Sequence, residues 1–513
     1  MPFNSLGFIF VFLPVSLGLF YGFARLGRRP AEIALVLCSL VFFGWGQPGY
    51  VPLFLVSIAF NFAVGRWITR TSEQPNRQHL LLAAGIVCNL SLLVYFKYLF
   101  PFLAFLSSSN LIDFTPPPAV ALPLGVSFFT ITQIMFLLDC QQRAAREGDV
   151  LKYSMFVAFF PSLISGPILR HREVMPQLIG AEASRFTLEN LTVGTTIFVL
   201  GLGKKVLLAD FIGGFVDSDY LHPGTLGLVG AWSAVAAYPL QLYFDFSGYS
   251  DMAIGLARML GIRLPPNFAS PYKSASIIEF WQRWNMTLTR FLNLYLYNPI
   301  ALRAARRQAL AGAAGSRRAA TSPRGFLSAI VAPTFVTMIA IGVWHGAGLQ
   351  FVCFGLLHAT YLTINQAWRR FGPKPQTSAA DTGKVAAIVR QGASVLLTFF
   401  AVSIADVFFR AESIDVAVAV LGGMLGRHGI EQTAGAVLMN AVPMALLLGI
   451  VWIMPNTQQI MADYAPILGS VKRPGWDLFT WRPSLAWAIG IGLIFVFAIE
   501  GLTQSRPFLY FEF

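Results

Sequence analysis

Charge is scarce in this chain. Only 12% of its 513 residues are Asp, Glu, Lys or Arg, about half the share of a soluble domain. No polar stretch is long enough to build a separate soluble core. Cysteine is nearly absent too. The four, Cys38, Cys88, Cys140 and Cys353, sit in or beside apolar runs; none pairs at metal-ligand spacing, and they indicate no disulfide framework. No Gly-x-Ser-x-Gly elbow occurs and no cysteine lies near His345, so the common nucleophile patterns are missing. Asp217-Ser-Asp219, read as part of a non-cytoplasmic loop, is too short a match to indicate a sugar-nucleotide transferase or a metal. Acidic residues are outnumbered, 24 against 37 Lys and Arg. The excess lies in loops next to apolar runs, as orientation signals facing anionic lipids do, and this argues against nucleic acid as a partner. The first apolar run, about 6–23, has no basic segment before it and Arg25, Arg28 and Arg29 after it, unlike a removable signal peptide.

What the chain does have is apolar length. Hydrophobic residues make up 56%, with 46 Phe, 45 Gly and 30 Pro, and the mean hydropathy is +0.62. The expectation is an all-α polytopic membrane protein. A span needs about 20 apolar residues. That criterion gives roughly eleven to thirteen membrane segments. They include a tight hairpin at 31–64 turning at Gly44-Trp-Gly-Gln-Pro-Gly49, and runs near 80–105, 120–139, 153–169, 186–208, 224–244, 391–409, 414–425, 434–454 and 484–503. The region 245–300, rich in aromatic and polar residues, reads as short, broken or interfacial helices, a backbone tolerated at membrane depth only where it lines a cavity or is buried in protein. One membrane domain over 1–513 is expected, with no fixed-period repeat.

One histidine stands out. His345 lies in Ile341-Gly-Val-Trp-His-Gly-Ala-Gly348, between apolar runs at 326–344 and 349–367. The flanks carry Arg303, Arg306, Arg307, Arg317, Arg318 and Arg324 on one side and Arg369, Arg370, Lys374, Lys384 and Arg390 on the other. Both ends of this hairpin therefore read as cytoplasmic, with His345 near its turn. An ionisable group inside a membrane segment is a functional candidate. His358, on the second arm, reads as supporting. Trp281, Trp284 and Asn285 share a face at helical spacing, and Glu279 and Arg283 pair at i, i+4. An interfacial aromatic anchor accounts equally well for those tryptophans. Asp245 and Asp251, in Tyr243-Phe-Asp-Phe-Ser-Gly-Tyr-Ser-Asp251, orient polar groups or satisfy helix ends.

The ordered set Leu122-Pro-Leu-Gly-Val-Ser-Phe-Phe-Thr130, Ser165-Gly-Pro-Ile168, Tyr243 to Ala253, Phe280-Trp-Gln-Arg-Trp-Asn285, Trp344-His-Gly346 and Phe408-Phe-Arg-Ala411 resembles the membrane-bound O-acyltransferase superfamily, nearest its bacterial alginate O-acetyltransferase-like branch. The resemblance covers about 40–411 and leaves 412–513 as further helices. It implies a bundle with broken or re-entrant helices around a central channel, in a bacterial inner membrane. It implies no bound cofactor and no metal. It implies a cytoplasmic acetyl-CoA (acyl-CoA) donor, and as acceptor a polysaccharide hydroxyl or a periplasmic partner protein that finishes the transfer. The family's catalytic histidine matches His345. The branch usually carries a second histidine in Trp-His-x-Ser-Leu, where this chain has Trp284-Asn-Met-Thr-Leu288, so His345 would carry proton transfer alone with Asn285 as an amide donor. The channel would be lined by Trp281, Trp284, Trp344, Gln282, Arg283, Asp245, Ser247, Tyr249, Asp251, Tyr272 and His358. Two other functions fit the residues alone: a flippase or transporter for a polysaccharide precursor, marked by broken helices and intramembrane polar groups, and a scaffold that recruits a periplasmic acetyltransferase.

Overall fold

The computed structural model describes residues 1–113, 122–180, 185–308, 310, 323–373, 384–430 and 434–509. The Pro116-Pro-Pro118 loop, Arg317, Arg318, Lys374 and Asp381 lie outside the described residues. Within them the regular structure is helical, with no strand. Among the described residues, six helices are long and apolar enough to cross a membrane: Pro48–Arg70, Pro75–Ser108, Leu188–Leu221, Pro323–His345, Val385–Arg410 and Leu485–Gln504. Shorter apolar helices accompany them at Phe8–Ala24, Val126–Gln141, Ile414–Met424 and Val442–Ile453.

The helices fall into two compact units. Among the described residues, the first comprises 1–207, 245–266 and 455–509; the second comprises Leu208–Phe244 and Asn267–Met454.

In the first unit, helices Val51–Arg70, Pro75–Val94 and Val126–Gln141 pack on one another. Asn61 and Asn89 exchange side-chain hydrogen bonds, Asn61 Nδ2 donating at 3.2 Å and Asn89 Nδ2 at 2.7 Å. Buried amide pairs of this kind join helices where apolar surface gives no preference for protein over lipid. The run 153–169 is broken. Its helix ends at Ala158, and Phe160–Leu163 forms a separate turn beginning Phe160-Pro161, as proline cannot donate to a continuing helix.

The main departure from the sequence reading is the helix Leu228–Met259. It runs unbroken through Tyr243–Asp251, where short interfacial pieces were expected. Both aspartates on it have buried partners. Lys205 Nζ lies 2.6 Å from Asp245 Oδ1, and Leu509 N donates to Asp245 Oδ2 at 2.9 Å. Lys204 Nζ donates to Asp251 Oδ2 at 2.7 Å, Thr457 Oγ1 to the same oxygen at 2.6 Å, and Gln458 Nε2 to Asp251 Oδ1 at 2.5 Å. A charge this well partnered need not interrupt a buried helix. The close approach is set one turn earlier. A Cβ on Gly201 would sit 2.6 Å from the Gly248 carbonyl oxygen, so only glycine lets these helices meet.

The second unit holds the hairpin of Ala332–His345 and Leu349–Phe371, together with Lys384–Arg410. Asp217 and Asp219 lie on helix Asp210–Leu221, not in a loop. Asp217 accepts from Arg410 at 2.8 Å, which explains a carboxylate there.

Candidate active site

Helix Ala332–His345 ends at the histidine itself because Gly346 turns into extended backbone (φ −167°, ψ 166°). The two arms of the hairpin touch through glycine. A Cβ on Gly342 would lie 2.1 Å from the Phe351 carbonyl oxygen, and one on Gly355 2.4 Å from that of Met338. This tight packing seats His345 in an apolar cage, where it is 5% exposed. Its ring centroid is 4.7 Å from that of Trp344, 4.8 Å from Phe409 and 6.3 Å from Phe354, all at steep angles. Phe409 belongs to the Phe408-Phe-Arg-Ala411 stretch, whose role in contacting the histidine its order in the chain did not reveal.

Phe354 also packs on His358, at 4.6 Å between centroids. Trp281 donates its indole N–H to His358 Nδ1 at 3.2 Å. The aromatic series Trp281, His358, Phe354, His345 thus runs through four residues, three of which the sequence had singled out.

Trp284 and Asn285 do not share a helical face with Trp281. Helix Ile277–Arg283 stops, Trp284 is extended, and Asn285 adopts the left-handed conformation (φ 38°, ψ 56°) before helix Met286–Leu292. Asparagine is among the few residues that enter this region at low cost. The break is held by the preceding loop: Met286 N donates to Asn267 O at 2.9 Å, Thr287 Oγ1 to Asn267 Oδ1 at 2.6 Å, and Ala269 N to Arg283 O at 3.0 Å. Asn285 is 3% exposed, and its carboxamide makes no hydrogen bond to a described residue. Trp284 stacks on Phe280, with centroids 5.5 Å apart and planes at 17°, and meets Phe268 edge-on at 5.0 Å. Tyr272 donates to Pro239 O at 2.7 Å. Arg283 is paired with Glu279, as spacing predicted. Gln282 is exposed.

The structure therefore brings His345, Trp344, His358, Trp281, Trp284, Asn285 and Tyr272 into one unit. Asp245, Ser247, Tyr249 and Asp251 fold into the other. There Tyr249 stacks between Phe3 and Phe508, at 4.7 and 4.5 Å, and Ser247 is buried. Phe354 and Phe409 were missed, although Phe354 stands one helical turn before His358.

A buried histidine at the end of a membrane-length helix, with an unengaged buried amide in the same unit, has the groups that acyl transfer to a hydroxyl needs. The model of MBOAT, the membrane-bound O-acyltransferase family, matches residues 89–313. A peptidoglycan O-acetyltransferase of Helicobacter pylori is 33% identical, over 100% of this chain and 97% of its own length. This chain belongs to the membrane-bound O-acyltransferase family. A probable alginate O-acetylase, AlgI, of Pseudomonas aeruginosa is 30% identical over the full length of both chains. A teichoic acid D-alanyltransferase of Bacillus subtilis is 25% identical over 50% of this chain and 62% of its own. As a family member the protein is an O-acyltransferase and crosses its membrane several times. The family match ends before His345, and the two full-length relatives extend across it.

Proposed function

We propose that this O-acyltransferase takes an acetyl group from acetyl-CoA on the cytoplasmic side of a bacterial inner membrane. It passes that group to a hydroxyl of an exported polysaccharide, directly or through a periplasmic partner protein. The observation that carries the reading is the caged His345 in a chain alike from end to end to peptidoglycan and alginate O-acetyltransferases.

The reaction divides among few groups. The acceptor oxygen attacks the thioester carbonyl carbon as His345 takes its proton. The tetrahedral intermediate then collapses, the carbon–sulfur bond breaks, and the histidine returns the proton to the thiolate. An imidazole titrates near neutrality when unperturbed, and general-base catalysis of this kind contributes about 10²–10⁴-fold. The Asn285 amide serves the developing oxyanion. Trp281, Trp284 and Trp344 exclude water from the thioester, and His358 orients the cage. A single-histidine route is supported by Asn285 standing where the bacterial branch usually has a second histidine.

The test is acetyl transfer from radiolabelled acetyl-CoA by purified protein in nanodiscs, with alginate and peptidoglycan fragments offered separately. Label on either glycan supports direct transfer. Label reaching glycan only when a periplasmic acetyltransferase is added supports the relay. Failure to consume acetyl-CoA, with D-alanyl or longer acyl donors consumed instead, would refute the acetyl assignment.

A further inference from the structure

The first unit contains a charged concavity. A cavity of about 460 Å³ is lined by Arg66, Arg70, Arg143 and Arg146, with Thr69 and Glu147 among its walls. This size falls in the range of small-molecule sites, roughly 300–1,000 Å³. Arg66 and Arg70 stand one turn apart on helix Val51–Arg70 and so face the same way. Arg143 and Arg146 come from the loop after Val126–Gln141.

The loop is fixed rather than draped. Arg143 takes the left-handed conformation (φ 59°) and donates to the Ser72 carbonyl oxygen at 3.2 Å. The negative charge at the cavity is already engaged. Glu147 Oε1 accepts from Gly148 N at 2.9 Å and Asp149 N at 3.0 Å, and Oε2 meets His171 Nε2 at 3.3 Å. Arg143 pairs with Glu73 at 3.4 Å, with both side chains mostly exposed, a weak contact in water. Arg66 lies over the Phe62 ring at 5.6 Å. No carboxylate among the described residues is within ion-pair distance of Arg66, Arg70 or Arg146.

The guanidinium groups around this cavity repel each other, and three of the four, on Arg66, Arg70 and Arg146, have no ion-pair partner among the described residues. Their planar forks match phosphate oxygens two at a time. We propose that this cavity binds a phosphate-bearing anion with at least two negative charges. Arg66, Arg70 and Arg77 follow one apolar run and Arg143, Arg146 and Lys152 follow another, and such basic loops tend to stay cytoplasmic; two sources of the anion exist there, the phosphates of a soluble nucleotide-type donor and the headgroup of an anionic lipid. The inference does not depend on His345 being the catalytic base.

The full chain in phosphatidylcholine nanodiscs is titrated with adenosine 3′,5′-bisphosphate by calorimetry. In parallel, nanodiscs with phosphatidylglycerol are analysed by native mass spectrometry for retained lipid. Arg66→Gln/Arg70→Gln is compared with wild type and with Arg303→Gln/Arg306→Gln, which removes the same charge elsewhere. The pocket variant is expected to lose about tenfold or more in affinity for at least one probe, and the control less than about twofold. Loss for the bisphosphate identifies a soluble phosphate ligand; loss of retained lipid identifies a headgroup site. If neither probe binds, or both variants weaken equally, the proposal is overturned. Arg146→Gln, in a loop without a described partner, provides the same comparison should the double variant fold poorly. His345→Ala is included and retains binding, so failure of the catalytic assignment and failure of this site are read apart.

Discussion

The Trp281 indole N–H donates to His358 Nδ1 at 3.2 Å, which makes that nitrogen an acceptor and puts the ring proton of neutral His358 on Nε2. Phe354 stands between His358 and His345, at 4.6 and 6.3 Å. On the proposed function, Trp281 acts on His345 through His358 and Phe354. Trp281→Phe keeps a ring and deletes the donor, leaving a buried acceptor unmade at a cost of about 1–3 kcal/mol. The expected result is a fall in kcat of roughly tenfold with donor KM unchanged. A rise in KM at constant kcat would place Trp281 in donor binding instead.

Asn285 tests the oxyanion role. Loss of one such donor costs about 2.7–4 kcal/mol in known cases, so Asn285→Ala should lower kcat by about 10²–10³ with little change in donor affinity. Because the residue also sits at φ 38°, Asn285→Gly separates the two contributions. Glycine relieves the backbone strain yet restores no amide, and it should be as inactive as alanine while melting at the wild-type temperature.

The buried Lys205–Asp245 pair, 3% and 1% exposed, is assigned to the fold. Removing one partner leaves a charge without a counter-charge, at about 3–5 kcal/mol. Asp245→Asn should thus melt well below wild type in detergent, and Lys205→Met/Asp245→Leu should recover most of the loss. Recovery of acetyl transfer in the double variant is expected. A well-folded but inactive double variant would return Asp245 to the substrate channel.

Glu147 supplies a pH dependence outside the spans. Burial raises its pKa, but the bond from His171 and those from the Asp149 and Gly148 amides outweigh this and hold it below its ordinary value. A carboxyl group more acidic folded than unfolded stabilises the fold above the unfolded value, and this contribution is lost as pH falls through the folded one. Glu147→Gln should melt lower than wild type at neutral pH, with the gap closing below about pH 4. A gap that persists in stronger acid would mean the loss is steric.

Much of this architecture was legible in sequence because it is written locally. Basic flanks and apolar length placed the His345 hairpin, and the Glu279–Arg283 spacing gave its ion pair. The helix Leu228–Met259 was not legible, since the partners that let Asp245 and Asp251 sit inside it come from distant positions. The signal was present in Lys204 and Lys205: two cations inside an apolar run require two anions. The break at Asn285 was hidden for the opposite reason. Its i, i+3, i+4 neighbours imitate a helical face, and only the loop bonds from Asn267 show the chain turning there. The contact of Phe409 with His345 is long-range and leaves no periodic trace.

The most direct test of the central claim is single-turnover acetyl transfer from labelled acetyl-CoA, wild type against His345→Ala. Both proteins are inserted in nanodiscs and matched for melting temperature. The variant is expected to bind donor as wild type does and to transfer about 10²–10⁴-fold more slowly. Transfer at the wild-type rate by a folded His345→Ala protein would contradict the claim.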